Sequence, residues 1–289
     1  MGNFYRQRIG FGWYKLLLAI IVYFCAIFGC FFGLSSLVLH TQILVMIPPY
    51  ISLPPHNHVE IQDCGQIDYQ IAWTRQEHLL KTMIENKMAT RQPDYQVPQT
   101  VEHHFLLCEH PPVYTLGRNG KQENLLLNAQ QLQDKGIQFY KINRGGDITF
   151  HGPGQIVGYP ILDLDHFFTD IGRYIRSLEE VVIRTLAEYG LQTGRIEGLS
   201  GVWLDGDNAR ARKICAIGVH LSRWITMHGF ALNVNTPLEY FTYIVPCGIT
   251  DKAVTSMEKE LGHPVDLQAV KARLIHHFAQ VFNIGVASL

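Results

Sequence analysis

No two of the six cysteines stand in the C-x-x-C spacing of a zinc or redox site. Cys25, Cys30, Cys64, Cys108, Cys215 and Cys247 are scattered, which argues against a disulfide framework and for reduced thiols in a reducing compartment. No G-x-G-x-x-G follows a strand-like run and no G-x-x-x-x-G-K-[ST] occurs, so nucleotide binding by either device is unsupported. H-E-x-x-H is also missing, and the adjacent pairs His103-His104 and His276-His277 point different ways in a strand or a helix. No metal is therefore expected. Charge is scarce and balanced, with 24 Lys plus Arg against 25 Asp plus Glu, together 17% of 289 residues. Net charge points to neither nucleic acid nor a membrane surface, so any patch that meets a partner must be local.

What the chain has in excess is apolar, 47% of its residues, and the bias is strongest at the N-terminus. The stretch 16–39, "LLLAIIVYFCAIFGCFFGLSSLVL", has no charge and is long enough to span a bilayer as a helix. Trp13 and Tyr14 precede it at headgroup level. The apolar core is too long for a cleaved signal peptide, and Arg6 stands where an N-myristoyl signal needs Ser or Thr. Arg6, Arg8 and Lys15 lie before the segment, and Glu60 is the first charged side chain after it. By the positive-inside rule the N-terminus stays in the cytoplasm and the remainder is exported. Two readings of residues 1–45 stand: a transmembrane helix, or an upstream start ahead of a domain that begins near Met46.

Residues 46–58 are Pro-rich and read as an extended linker, with the globular domain over residues 59–289. Three helices are expected. The first covers residues 68–85, with Ile71, Ala72, Leu79, Met83 and Ile84 on its apolar face. The second covers residues 170–189 with Ile171, Ile175, Leu178, Val182 and Leu186 at helical spacing and Gly190 as terminator. The third follows Pro264, with Asp266 as N-cap. Strands are expected at "HFLLCEH", "IQFYKI", "IVGYPILDL", "GVWL", "KICAIGVHL" and "GFALNVN". Helices and strands mix without regular alternation. The expected class is α+β, or irregular α/β: a mixed central sheet flanked by helices.

Three blocks carry the candidate chemistry. "NRGGDITFHGPGQIVGYP" sets a short extended segment between two glycine turns; this makes either a pocket wall with exposed backbone N–H groups or a plain hairpin. Arg144 and His151 flank that segment. In "RARKICAIGVHL", Lys213 opens an apolar strand and Cys215, two residues on, shares its face if the strand is regular; its apolar neighbours make it a core thiol. In "YIVPCGIT", Cys247 stands between Pro246 and Gly248, on a turn where a thiol can reach an extended substrate. A thiolate there needs a nearby cation, and spacing alone leaves Lys213, His151 and His228 as equal candidates.

Together these blocks resemble the octanoyltransferase family of lipoate biosynthesis, from about residue 59 to 283. The likeness is carried by "PPVYTLGRNG", "RGGDITFHGPGQIVGYPI", "GVWL", "RKICAIG", "TMHGFALNVN" and "IVPCGI…AVTSM" in that order. The N-terminal apolar segment is outside the family pattern. The resemblance implies transfer of an octanoyl group from octanoyl-acyl carrier protein to a lysine of lipoyl domains. The acceptors would be 2-oxoacid dehydrogenase E2 subunits and the glycine cleavage H protein. It implies the fold of biotin and lipoate protein ligases, a cytoplasmic catalytic domain and no cofactor. Cys247 matches the acyl-accepting nucleophile and Lys213 the lysine that lowers its pKa. Arg144, Gly145, Gly146, Asp147, Ile148, Thr149, Phe150 and His151 match a substrate-binding stretch. Ala216, Ile217 and Gly218, and Gly229, Phe230 and Ala231, match two more, with His228 in support. Partner proteins of this family are acidic, which makes Arg118 and Arg212 the best candidates for a local basic patch. Backbone N–H groups near Cys247-Gly248, or in a glycine turn, would hold the oxyanion. The alternatives are an ATP-dependent ligase on the same fold and a catalytically silent membrane-tethered scaffold.

Overall fold

A computed structural model describes residues 57–90, 102–245 and 253–286. The apolar stretch 16–39, nearly all of the Pro-rich linker and Cys247 lie outside them. Among the described residues no helix is long and apolar enough to cross a membrane.

The strands in chain order are β1 (Asn57–Gln66), β2 (His103–Glu109), β3 (Val113–Leu116), β4 (Gln138–Lys141), β5 (Ile148–His151) and β6 (Gln155–Ile161). They continue with β7 (Gly194–Ile196), β8 (Leu199–Leu204), β9 (Arg212–Ser222), β10 (Ile225–Asn233), β11 (Ala253–Val254) and β12 (Ile284–Val286). The longer helices are α1 (Tyr69–Ala89), α2 (Ala129–Asp134), α3 (Ile171–Ala187), α4 (Met257–Leu261) and α5 (Leu267–Phe282). Among the described residues the main sheet is mixed, in the order β12-β1-β2-β6-β10-β9-β8-β7, with β11 added in parallel beside β9. A small second sheet has the order β4-β3-β5.

Every residue of β10 is buried, because it pairs with β6 and β9 and both faces of the sheet are covered there. On one face α3 and α5 bring Tyr174, Leu178, Val182, Leu274 and Phe278 against Phe105, Ile156 and Phe230. On the other, α1 brings Ala72, Leu80 and Met83 against Leu106, Val157, Tyr159 and Met227. Removing such side chains from water is the main favourable term in holding the layers together.

The helices differ from expectation in detail. Asp68 caps α1 through the N–H groups of Gln70 and Ile71, at 2.8 and 3.4 Å, and the helix runs on to Ala89. Ile71, expected inside, is 61% exposed. The buried stripe is Tyr69, Ala72, Gln76, Leu80 and Met83. A polar residue holds the inner face because Gln76 Oε1 accepts the backbone N–H of His228 at 3.0 Å. Asp170 caps α3 and Asp266 caps α5, each accepting a backbone N–H at 2.9 Å. Ile171 sits in the exposed first turn of α3. Gly190 takes the left-handed conformation (φ 77°) just past that helix. Strand β1 begins inside the stretch read as linker, where Asn57 and His58 pair with Ile284 and Gly285.

Candidate active site

A cleft opens between the small sheet and the central strands β6, β9 and β10. It holds about 850 Å³ of empty space continuous with solvent. One wall is the turn before β5, and it stands where it does because of Arg144. That guanidinium is 7% exposed and donates to the Thr115 carbonyl at 2.6 Å, to Thr115 Oγ1 at 2.9 Å and to the Gly145 carbonyl at 3.0 Å. The Gly145 N–H in turn donates to the Val219 carbonyl on β9 at 2.9 Å. Wall and floor meet closely at Gly218: a Cβ there would lie 2.9 Å from the Gly145 carbonyl oxygen and 3.1 Å from Arg144 Cδ. Only glycine lets β9 pass so near the turn.

A directed chain of hydrogen bonds runs from Arg144 through the back of the cleft. Thr115 Oγ1 receives from Arg144 and lies 3.4 Å from His151 Nε2. His151 Nδ1 is 2.8 Å from Gln155 Oε1, and Gln155 Nε2 donates to Phe150 O and to Asn233 Oδ1 at 3.1 and 2.9 Å. Gln155 Nε2 being the donor to those oxygens, its Oε1 is an acceptor, and the His151 proton is on Nδ1. Asn233 Nδ2 then donates to the Thr255 carbonyl at 3.0 Å, and the Thr255 N–H to the Lys213 carbonyl at 2.9 Å. Each side chain in that hydrogen-bond chain thus has a partner. The Tyr69 ring stacks on His151, 5.9 Å between centroids. Tyr159 meets His110 Nε2 at 2.8 Å on the floor.

Burial holds His151 well below the usual imidazole range, with His110 and Arg144 repelling a further proton. His228, buried beside Arg144 and His220, is pushed down to about 3, and its Nε2 lies 2.8 Å from Asn143 Oδ1. Both histidines are neutral at pH 7. Of the three residues that spacing left open as cations for the thiol, the two histidines are thus uncharged, and Lys213 lines the cleft with its Nζ 4.6 Å from the centre of the Trp203 ring.

Cys215 does not share the Lys213 face. Val202 opposes Cys215 and Trp203 opposes Lys213, so one step on β8 matches two on β9. That bulge turns Ile214 and Cys215 together into the core beneath α3. Burial pushes the Cys215 thiol far up, which makes it an inert core residue. Cys247 lies outside the described residues. The chain reaches it from Val245, whose N–H donates to the Asn124 carbonyl at 2.8 Å, and leaves it into β11, which pairs Val254 with Lys213.

Of the other residues singled out in the sequence, Arg144, Gly146, Asp147, Ile148, Thr149, His151, Ala216, Ile217, Gly218, His228, Gly229, Phe230 and Ala231 line the cleft. Gly145 and Phe150 do not. Gly145 faces β9 as described, and Phe150 turns into the small core, stacked on Tyr240 at 4.5 Å. Alternation along β5 puts it on the face opposite Thr149 and His151. Arg212 is no free basic patch: it is paired with Glu260 at 2.6 Å and with Asp205 at 2.5 Å. Tyr69, Gln155, Tyr159 and Asn233 line the cleft without having been singled out. Gln155, Tyr159 and Asn233 stood inside quoted blocks, and Tyr69 had no signal beyond opening a helix. Among the described residues no group of three or more His, Cys, Asp or Glu side chains is placed to hold a metal ion.

The family model described as the lipoyl protein ligase A/B catalytic domain matches residues 68–279. The octanoyltransferase of Cytophaga hutchinsonii is 54% identical over 229 residues, 79% of this chain and 94% of that protein. The octanoyltransferase of Flavobacterium johnsoniae is 56% identical over the same share of this chain and 98% of its own length. Among solved structures, the bipartite lipoate protein ligase of Thermoplasma acidophilum superposes with a TM-score of 0.58 at 17% identity, covering 81% of this chain and 86% of that one. Lipoate-protein ligase A bound with ATP gives 0.55 at 16% identity, over 81% and 90%. At those identities the structures speak for the fold, a mixed sheet flanked by helices.

Proposed function

The chain belongs to the lipoyl protein ligase A/B catalytic family and, within it, to the octanoyltransferases, and from that premise we propose the path its octanoyl group takes. The donor is octanoyl-acyl carrier protein. The acceptor is the target lysine of lipoyl domains, in 2-oxoacid dehydrogenase E2 subunits and the glycine cleavage H protein. The acyl group rests in between as a thioester on Cys247.

The observation that carries this reading is the ammonium of Lys213 in a cleft whose histidines are neutral. A cation there favours the Cys247 thiolate, the form that attacks. The thiolate adds to the donor carbonyl, and the leaving thiolate of the carrier takes a proton from Lys213. Exchange of one thioester for another is nearly isoenergetic. Lys213, now an amine, receives the proton that the acceptor lysine loses as its nitrogen attacks the acyl-enzyme. Cys247 leaves as the thiolate, the amide forms, and the ion pair is restored. The oxyanion would be held by the backbone around Cys247-Gly248 or by the glycine turn, where the Gly145 N–H is committed to Val219 and Gly146 is the remaining donor. The cleft-lining residues of the stretches 144–151 (without Gly145 and Phe150), 216–218 and 229–231 hold the acyl chain and exclude water. The mainly apolar lining from Ile148, Val157, Ile217 and Phe230 suits an alkyl chain.

The test is mass spectrometry of the full chain with octanoyl-acyl carrier protein and no ATP. An octanoyl adduct should form on Cys247, pass to an added lipoyl domain, and be absent in Cys247→Ser. No adduct at saturating donor, or transfer only with ATP and free octanoate, would overturn the reading.

A further inference from the structure

The block "GVWL" lies on β8, outside the stretches that wall the cleft, and it meets Lys213. Trp203 opposes Lys213 across the β8–β9 pair, and its ring receives the ammonium at 4.6 Å. Gly201, two residues earlier, has φ 114°, a left-handed conformation that side chains avoid. A Cβ there would lie 2.5 Å from the Cys215 carbonyl oxygen, and 3.4 and 3.5 Å from Cε and Cδ of Lys213. Glycine is required there by that angle and by the Cys215 carbonyl, and it lets β8 close onto β9 with the Lys213 stem passing at contact distance. Its own position is fixed from α3: Glu179, fully buried, accepts the Gly201 N–H at 3.0 Å and is held by Arg176 at 2.6 Å and Arg195 at 3.0 Å.

Trp203 carries a clue to what the position needs. The side chain is 2% exposed, and its indole Nε1 is buried with no hydrogen-bond partner. An orphaned buried N–H costs stability, and phenylalanine would fill much of the same space without that cost. The indole face is the strongest aromatic partner for a cation. A ring also differs from a carboxylate in what it does to the ammonium. It attracts the cation while carrying no net charge, so the positive field stays available to a thiolate; a carboxylate would cancel it.

We propose that Gly201 and Trp203 form a seat for Lys213, the glycine letting β8 close onto β9 beside the stem and the indole face holding the ammonium at the cleft. Both are positioning residues, acting through Lys213. The proposal rests on the reading in which Lys213 activates Cys247, and its test separates the two. In the full chain, the pH dependence of Cys247 alkylation by iodoacetamide is read on the Cys247 peptide by mass spectrometry. Lys213→Met sets the scale. Tryptophan fluorinated at four ring carbons, placed at position 203, keeps the indole shape and removes most of its attraction for a cation. Alkylation at pH 7 should then slow about threefold to tenfold, with intermediate effects for fewer fluorines. Trp203→Leu and Gly201→Ala should slow it at least as much. Trp203→Phe should unfold no earlier than wild type, because the orphan N–H is gone. An unchanged rate with the fluorinated indole, while Lys213→Met shows its loss, would overturn the seat alone. Wild-type alkylation in Lys213→Met would overturn the activation reading beneath it.

Discussion

Two side chains at the cleft, His151 and His228, together with His110 behind Tyr159, are buried without charge, and this ties the stability of the fold to pH. An unfolded histidine takes up its proton as the pH falls through about 6.5. In the folded chain His110 holds out to about 4 and His228 to about 3, both through burial, and His151 lies well below its usual range. Between those limits the unfolded state binds more protons, so stability falls as the pH drops, by about 1.4 kcal/mol per pH unit for each such histidine. Carboxylates held low by their partners, such as Glu260 through Arg212, act mainly below that window. Urea unfolding should show full stability at pH 7 and a loss of about 6 kcal/mol by pH 5 from these three groups. Equal stabilities at the two pH values would mean that these histidines charge freely in the folded state. None of this was legible in the sequence. His151 and His228 stood beside glycines and read as cations for Cys247 as readily as Lys213, because burial, which decides their charge, is set by Tyr69, Arg144 and Gln76 from distant parts of the chain.

Strands and helices repeat the lesson in another form. The long helices were legible because each carries its own period and caps: α3 and α5 follow their apolar stripes, with Asp170 and Asp266 at their starts, whereas the ten-residue β1 was not foreseen and its first residues read as linker. The six strands expected from apolar runs all appear, with shifted ends. What escaped was short or set by a partner. β11 has two residues and exists only by pairing with β9, and the bulge that separates Lys213 from Cys215 is a mismatch between two strands. Gln76 was not among the residues expected on the inner face of α1, because its acceptor role depends on β10. The small strand β11 offers a direct check on such partner-made structure. Besides the pairing with β9, the Asn233 amide secures its end through the Thr255 carbonyl, and Asn233 is only 4% exposed. Asn233→Leu should leave the Thr255 carbonyl and one Gln155 donor bond unmet, costing about 1–3 kcal/mol in global stability. Exchange of the Thr255 amide hydrogen, bonded to the Lys213 carbonyl, should speed up more than that of amides in β6. Uniform protection across both strands would show that Asn233 does not hold β11.

For the molecule as a whole, the quoted blocks converge because the fold threads them through neighbouring strands: the turn before β5 sits over β9, and β9 lies beside β10. Sequence order does not fix which way each residue of a block faces: Gly145 and Phe150 belong to the stretch 144–151 matched by resemblance, yet do not line the cleft. Charge shows the same gap between inventory and arrangement. Basic residues are as common as acidic ones, yet many are already paired: Arg212 with Glu260 and Asp205, Arg195 with Glu179 and Glu180, Arg273 with Glu188. A hollow bordering the cleft is different. It is lined by Arg118 and Lys141 with Trp73, Gln122 and Asn143, and among the described residues no carboxylate pairs with either cation. Arg118 donates to the Asn143 carbonyl at 3.3 Å and lies 3.1 Å from His220 Nδ1. Asn143 in turn holds His228 in the cleft. If the partner proteins are acidic, this hollow is where a balanced molecule would draw them toward the site. Arg118→Glu with Lys141→Glu should lower kcat/KM for the carrier-bound donor about tenfold at low salt and leave kcat nearly unchanged. The gap should close as salt rises, since screening removes the steering. Lys81→Glu, an exposed reversal on α1 outside the residues that line the hollow, should do neither. A salt dependence identical in wild type and the double reversal would place the encounter surface elsewhere on the molecule.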